Sequence, residues 1–258
     1  CDVDAANLHL LIKHKTIKTS IFKAGKKAVI NEVKCISCGK CREACRFGAV
    51  KNDGVFRIDP LLCEGCGLCS RICPHEAVVM NENAAGLWYV SESEYGPFVH
   101  AKLGIAEDNS GKLAAKVREE AKREADKNRI GLVIIDGPPG TGCPVMASIT
   151  GVDLAVIVTE PTVSGIHDLE RVRDVASHFG IKVCVIVNKY DINKEKTGEI
   201  INFCGRNGIY YAGSVSFSGS ILDSVMKGIP PVLGGNKEVK NEINEIWKGI
   251  KTHFLEGG

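Results

Sequence analysis

The chain has 258 residues, of which 44% are hydrophobic and 25% charged, a composition typical of a globular protein and not of a disordered one. Its formal net charge of +2 is too small to predict binding to nucleic acid or to an acidic membrane surface. We find no signal peptide and no apolar run near the roughly 20 residues of a membrane-spanning helix.

The N-terminal part is predicted to contain the end of a strand, a short helix or turn at residues 5–12, and a linker. Residues 1–4 resemble the end of a buried strand, and we expect the true N-terminus to lie upstream of Cys1. Residues 13–27 are rich in lysine and show weak hydrophobic periodicity, which favours a linker with a solvated basic face.

Two cysteine runs of identical spacing, C-x2-C-x2-C-x3-C, follow between residues 35 and 73. They are offset by 28 residues (63 − 35), so they form an internal duplication. Two-cluster bacterial-type ferredoxins use this spacing, and the fourth cysteine of each run binds the cluster of the other run. The predicted ligands are Cys35, Cys38, Cys41 and Cys73 for one [4Fe–4S] cluster, and Cys63, Cys66, Cys69 and Cys45 for the second.

Disulfides and structural zinc are the alternatives for these cysteines, but the duplicated spacing fits no common zinc pattern. Cysteine ligation of clusters requires thiolates, which indicates a reducing compartment, and we expect the cytoplasm. The two runs differ after the fourth cysteine, because Pro74 follows Cys73 whereas Arg46 follows Cys45. A positive charge beside a cluster favours its reduced state, so Arg46 is a predicted modulator of the reduction potential.

The predicted ferredoxin unit covers residues 29–81, with a strand at 29–34 and short helices carrying Cys41 and Cys69. Residues 49–50 and 77–79 are expected to pair as strands that cover the clusters. Strands at 87–91 and 97–105 and a helix at 112–128 follow. Beyond residue 130 the predicted strands are 132–135, 154–158, 182–187 and 209–212, and the helices are 164–179, 195–207, 218–227 and 237–254. Such alternation predicts a mostly parallel, doubly wound sheet.

An apolar run that ends in an acidic residue is the second chemical signal. Val133-Ile134-Ile135 leads into Asp136, and a glycine- and proline-rich loop follows at 137–142. Ligands of open α/β sheets bind at the carboxyl ends of strands, and glycines let backbone amides approach phosphate. This run by itself favours either a phosphate and magnesium site or, as the alternative, a strand end that only caps a helix.

Four further segments favour the phosphate and magnesium site: Asp2-Val3-Asp4, Gly151-Val152-Asp153, Thr159-Glu160-Pro161-Thr162 and Asn188-Lys189-Tyr190-Asp191. With them the chain resembles the MinD/Mrp branch of P-loop ATPases, and more closely the MinD-superfamily ATPases that carry an inserted ferredoxin domain. The resemblance implies an α/β fold, namely a doubly wound, mostly parallel P-loop NTPase sheet with an inserted α+β bacterial-type ferredoxin domain. Residues 1–28 would begin the ATPase domain, residues 29–81 would form the insert, and residues 82–258 would complete the ATPase domain.

The resemblance also implies roles for particular residues. Asp2 and Asp4 match the acidic pair that assists Mg²⁺ and the attacking water, and Asp136 matches the Walker B acid. The implied nucleotide-binding residues are Gly137, Pro138 and Gly140 of the switch loop, Asn188 at the adenine edge and Lys189 beside the base. The implied cofactors are ATP, Mg²⁺ and two [4Fe–4S] clusters.

No G-x-x-x-x-G-K-[ST] phosphate loop occurs in the chain. The family's loop precedes the D-x-D segment, so we expect it upstream of Cys1, and ATPase activity depends on it. The expected function couples ATP binding and hydrolysis to low-potential electron transfer or metallocluster assembly for a partner protein. A homodimer with nucleotide at the seam is implied, without nucleic acid or membrane insertion. The alternative is a non-catalytic ferredoxin-type electron carrier, or iron–sulfur carrier, on a degenerate nucleotide-binding fold.

Overall fold

Three β-sheets organise the chain in the computed structural model, which describes residues 1–256. The first sheet contains β1 (His14–Ile30), β4 (Val78–Ser93) and β5 (Gly96–Leu103) in the order β1-β4-β5, all antiparallel. Helix α3 (Ser110–Asn128) packs against this sheet. The core between them contains Val3, Trp88, Val90, Ala101, Leu113 and Val117.

The expectation of a linker at residues 13–27 is wrong, because these residues form most of strand β1. The strand pairs with β4 along its length, from His14 opposite Ser93 to Ile30 opposite Val78. Register shifts at Thr16/Lys18, Phe22/Lys23 and Lys23/Lys26 interrupt the alternation of inward and outward side chains. These irregularities explain why the sequence shows only weak periodicity.

The segment between β1 and β4 contains both cysteine runs. It forms α1 (Lys40–Ala44), β2 (Val50–Asn52), β3 (Phe56–Ile58) and α2 (Leu68–Ile72). The two helices follow the predicted positions, since Cys41 lies in α1 and Cys69 in α2. The expected pairing of residues 49–50 with 77–79 is wrong: Val50 pairs with Ile58, which lies nearby in the hairpin, and Val78 pairs with Ile30.

A parallel sheet forms the C-terminal part. It contains β6 (Leu154–Thr159), β7 (Lys182–Asn188) and β8 (Tyr210–Val215) in the order β6-β7-β8. The helices of this part are α4 (Cys143–Ile149), α5 (Val163–His178), α6 (Lys194–Arg206), α7 (Gly219–Met226), α8 (Pro231–Gly234) and α9 (Lys237–Ile250).

Helices cover both faces of the parallel sheet. Leu169 of α5 and Ile200 of α6 pack against Val185 and Val187 on one face. Ile246 and Ile250 of α9 pack beside Cys184 on the other. The predicted α/β class with a parallel sheet is thus confirmed. No helix within residues 1–256 has the length and apolarity needed to cross a membrane.

One predicted strand of this part is wrong. Residues 132–135 adopt no regular structure, and Ile134 is 79% exposed. Strand geometry requires a hydrogen-bonded neighbour, and within residues 1–256 no strand pairs with this run. Its apolar sequence is therefore not sufficient to make it a strand in the described chain.

Candidate functional site

Two cavities in the segment that connects β1 to β4 are each lined by four cysteines. The first, of about 370 Å³ including space open to solvent, is lined by Cys35, Cys38, Cys41 and Cys73. The second, of about 430 Å³ on the same measure, is lined by Cys45, Cys63, Cys66 and Cys69. In each case three cysteines come from one run and the fourth crosses over from the other. The structure therefore brings together both predicted ligand sets, and their bonds to iron remain a prediction.

Local backbone geometry places these cysteines. Gly39 and Gly67, with φ of 78° and 73°, precede α1 and α2 and turn the chain between the second and third cysteine of each run. Glycine is favoured there because these left-handed conformations are costly for residues with a Cβ. Each helix is five residues long, and the fourth cysteine follows it in extended backbone. The duplication in sequence thus becomes a duplication in structure.

The fourth cysteine of each run lies in an environment that favours the thiolate. Burial opposes ionisation of Cys45, but nearby backbone N–H groups, including that of Ala49, outweigh it and lower its pKa. Cys73 has a lowered pKa for the same reason, and its Sγ accepts a hydrogen bond from Ala77 N at 3.3 Å. Burial instead raises the pKa of Cys41 and of Cys69. Backbone N–H groups directed at sulfur are also what tunes the potential of iron–sulfur clusters.

Apolar side chains complete both cavities. Ala49 and Val50, which are 2% and 4% exposed, line the second cavity. Ala77 and Val78 have the same exposed fractions and line the first cavity. Within residues 1–256 no three His, Cys, Asp or Glu side chains are grouped closely enough to hold one metal ion. Thiols around a largely apolar cavity, with amides directed at sulfur, fit a cluster with cysteine ligands.

The acidic residues predicted to hold magnesium come together only in part. Asp2 N donates a hydrogen bond to the Asp136 carbonyl oxygen at 3.2 Å, so the two acidic segments lie side by side. Partial desolvation raises the pKa of the Asp136 carboxyl above its ordinary value, and the Asp2 carboxylate adds to this rise. Asp2 also accepts a hydrogen bond from Ala5 N at 3.2 Å, while Asp4 is exposed.

The predicted adenine-binding residues lie at a strand end, whereas the predicted switch loop follows residues 132–135, which form no strand. In the loop, Gly140 has a φ of 87°, a conformation that favours glycine. Asn188 ends β7, and the Lys189 ammonium forms an ion pair with Glu160, which follows β6, at 2.7 Å. Within residues 1–256 no hydrogen bond or ion pair connects Asn188 or Lys189 to Asp136.

One polar contact beside the second cavity has no signal in the sequence. Lys27 Nζ donates to the Pro60 carbonyl at 2.7 Å and forms an ion pair with Glu107 at 2.5 Å. Glu107 is 80 residues away from Lys27 in the chain. The sequence predicted a linker at Lys27 and therefore no partner for it. The contact becomes visible only once Lys27 is placed in β1.

Comparison with known proteins finds the following similarities. Residues 28–80 match the 4Fe-4S dicluster domain. A 128-residue stretch is 26% identical to the septum site-determining protein MinD of Thermotoga maritima and covers 46% of each chain. The MinD cell division protein structure from Aquifex aeolicus is similar with a TM-score of 0.47 and 20% identity, covering 64% of this chain and 69% of that one.

The chain thus combines a segment that matches a 4Fe-4S dicluster domain with an α/β part that contains a parallel sheet. It is 37% identical over 256 residues to the uncharacterized protein MJ0578 of Methanocaldococcus jannaschii. That alignment covers 97% of this chain and 84% of the relative, so the chain belongs to the same family as that protein.

Proposed function

We propose that this protein binds ATP with Mg²⁺ and uses the nucleotide state to control low-potential electron transfer through two [4Fe–4S] clusters to a partner redox protein. One observation carries the proposal: a hydrogen-bonded route joins the acidic segments to the strand that reaches the first cavity. Asp2 N bonds to Asp136 O, and Leu103 N bonds to Val3 O at 3.0 Å. Gly104 N then bonds to Ala85 O of β4 at 2.8 Å, and β4 begins beside the first cavity.

The cysteine side chains would hold the clusters in the two sets that line the cavities. When bound, such clusters supply one-electron transfer at potentials that depend on charge, hydrogen bonds to sulfur and exposure to solvent. Burial of Ala49 and Ala77 keeps water from part of each cavity wall. The amide of Ala77, directed at Cys73, would stabilise the negative charge on sulfur.

The nucleotide site would lie where the acidic segments meet. Asp136 would hold Mg²⁺ through water, and Asp2 and Asp4 would assist the ion and the attacking water. Gly137, Pro138 and Gly140 would contact the γ-phosphate. Asn188 and Lys189 would contact the adenine. The proximity of Asp2 and Asp136 supports the first assignment, and the position of Asn188 at a strand's carboxyl end supports the last.

The proposal extends to the organisation of the whole protein. Residues 29–81 would form the inserted dicluster domain, with residues 1–28 and 82–258 belonging to the ATPase domain. By resemblance to MinD/Mrp ATPases, two copies would bind nucleotide at their seam in the cytoplasm.

The test uses the full-length protein, reconstituted anaerobically. Two [4Fe–4S] clusters predict about eight iron and eight sulfide per chain, with an EPR signal on reduction. The midpoint potentials are then measured with Mg-ATP, with Mg-ADP and without nucleotide. An allosteric coupling of about 1–3 kcal/mol corresponds to a shift of roughly 40–130 mV for a one-electron couple.

The Asp136→Asn variant is the matched control, because it keeps the size of the side chain and removes its charge. We expect this variant to keep both clusters and to lose the nucleotide-dependent shift. If the wild-type protein holds both clusters and its midpoint potentials do not change with nucleotide, the result would instead support the non-catalytic carrier. Transfer of clusters to an apo-acceptor without electron transfer would support a role in cluster assembly.

A further inference from the structure

Among the ion pairs within residues 1–256, that between Lys27 of β1 and Glu107 alone has both side chains less than a fifth exposed. Its side chains are 16% and 12% exposed, with Nζ and Oε1 2.5 Å apart. By contrast, Lys23 and Glu82 form a cross-strand pair on the same β1/β4 ribbon, with side chains 61% and 66% exposed. The second pair is therefore a natural control for the first.

Each partner of the buried pair has a further contact. Lys27 Nζ also donates to the carbonyl of Pro60, which lies three residues before Cys63. The other carboxylate oxygen of Glu107 accepts a hydrogen bond from Asn83 Nδ2 of β4 at 2.5 Å. The pair thus connects the loop that leads into the second cysteine run with β4 and with the β5–α3 loop.

Lys27 lies between two residues that contact the second cysteine run. Ala28 lines the second cavity together with Cys63 and Cys66. On the other side, the Lys26 carbonyl is so close to Gly65 that a Cβ added there would lie 2.1 Å from its oxygen. The backbone of Lys27 thus lies beside the second cavity, and its ammonium is fixed on the loop that leads to Cys63.

The segment that carries Glu107 has an unusual backbone. Ala106 has a φ of 55° and Asn109 a φ of 78°, although neither is glycine. Such conformations cost free energy and persist where surrounding contacts determine them. The preceding Gly104 is bonded to Ala85 of β4, so the position of Glu107 is set by both β4 and β5.

We propose that Lys27 and Glu107 are a positioning pair that sets the reduction potential of the cluster held by Cys63, Cys66, Cys69 and Cys45. This inference rests on the proposed function for the presence of that cluster. Adding an electron makes the cluster more negative, so the Lys27 ammonium stabilises the reduced state. The Glu107 carboxylate opposes this effect by partly neutralising the ammonium. The low dielectric of a shielded site strengthens both effects relative to the exposed Lys23–Glu82 pair.

The hydrogen-bonded route from Asp136 also ends near this pair. Leu103, which bonds to Val3, is followed by Gly104 and then by the loop that carries Glu107. A movement of the acidic segment would change the distance between Glu107 and Lys27. The ion pair is therefore suited to convert such a movement into a change of potential at the second cluster.

The test measures both cluster potentials by EPR-monitored titration of the full chain, in the absence of nucleotide. Lys27→Met removes the positive charge, and we expect the second cluster to be about tenfold harder to reduce, a fall of 59 mV for a one-electron couple. Glu107→Gln leaves Lys27 uncompensated, and we expect a shift of similar size in the opposite direction. The double variant should return close to the wild-type potential.

A merely structural role would predict a different pattern. Loosening the loop from either side would move the potential in the same direction in both single variants, and that result would overturn the inference. Unchanged potentials in both would overturn it as well. The first cluster is the internal control, and Lys23→Met and Glu82→Gln are the matched controls for charge on the same strands; we expect all of them to be unshifted.

Lys27→Met or Glu107→Gln could lose the second cluster, and two conservative variants are then measured instead. Lys27→Arg and Glu107→Asp keep both charges, and near-wild-type potentials in them would support the inference. Loss of the cluster in these variants too would overturn it, because shape and not charge would then be the requirement. Failure of the proposed function looks different: the wild-type protein would then lack clusters, or nucleotide would leave its potentials unchanged.

Discussion

Replacement of Gly65 by alanine tests how the second cysteine run is held against β1. Gly65 has a φ of 65°, and an added Cβ would lie 2.1 Å from the Lys26 carbonyl oxygen. The equivalent residue of the first run, 28 positions earlier, is Ser37, which has a φ of 57°. The run itself therefore accepts a side chain at this turn, and the contact with β1 creates the requirement for glycine at position 65.

A matched control separates the cost of the left-handed backbone from the cost of the clash with β1. Gly67 has a φ of 73°, but an added Cβ would meet nothing within 4 Å. Gly67→Ala should cost about 1–2 kcal/mol of stability, the usual cost of a left-handed conformation for a residue with a Cβ. Gly65→Ala carries the same cost and adds roughly 1–3 kcal/mol, because backbone must move to relieve the clash with Lys26.

The assay is iron content and EPR after anaerobic reconstitution, together with denaturant unfolding of the loaded protein. We expect Gly65→Ala to lose the second cluster and to retain about half of the wild-type iron. Gly67→Ala should keep both clusters with a small loss of stability. Equal iron content and equal stability in the two variants would show that the contact with β1 does not position this loop.

Three further predictions concern stability. His100 stacks on Tyr89, and its burial, together with the nearby His14 and His9, lowers its pKa to about 4. Because the unfolded chain binds a proton at His100 below pH 6.5 and the folded protein does not, stability should be complete above pH 6.5 and should fall as the pH drops toward 4. Allowing for partial exposure, urea titrations should show a loss of roughly 1–2 kcal/mol across that range that His100→Phe lacks, and equal pH dependence in both proteins would contradict this. Leu113→Ala empties a fully buried position and should cost about 2–5 kcal/mol, whereas Leu222→Ala, at a position 62% exposed, should change stability little. Thr162→Ala removes the side chain that accepts from Gly165 N at 2.9 Å and caps α5, so its thermal unfolding should report a loss of about 1 kcal/mol that Thr162→Ser avoids.

Features defined by short stretches of chain could be predicted from the sequence. The cysteine spacing predicts iron–sulfur binding because three ligands of each set lie within seven residues and the turns between them are local. Helices such as α3 and α6 follow from composition and periodicity, since each helical hydrogen bond joins residues four apart. The alternation of these helices with apolar runs was enough to predict the parallel sheet.

For two segments, only the tertiary structure decided whether they form strands. Residues 14–30 form a strand because β4 supplies hydrogen bonds from more than 45 residues away, and residues 132–135 do not because no strand among residues 1–256 pairs with them. The same holds for Lys27, whose partner Glu107 is 80 residues distant. The physical reason is that strand pairing and buried ion pairs depend on groups remote in the chain, whereas helices and cysteine turns are determined by neighbours.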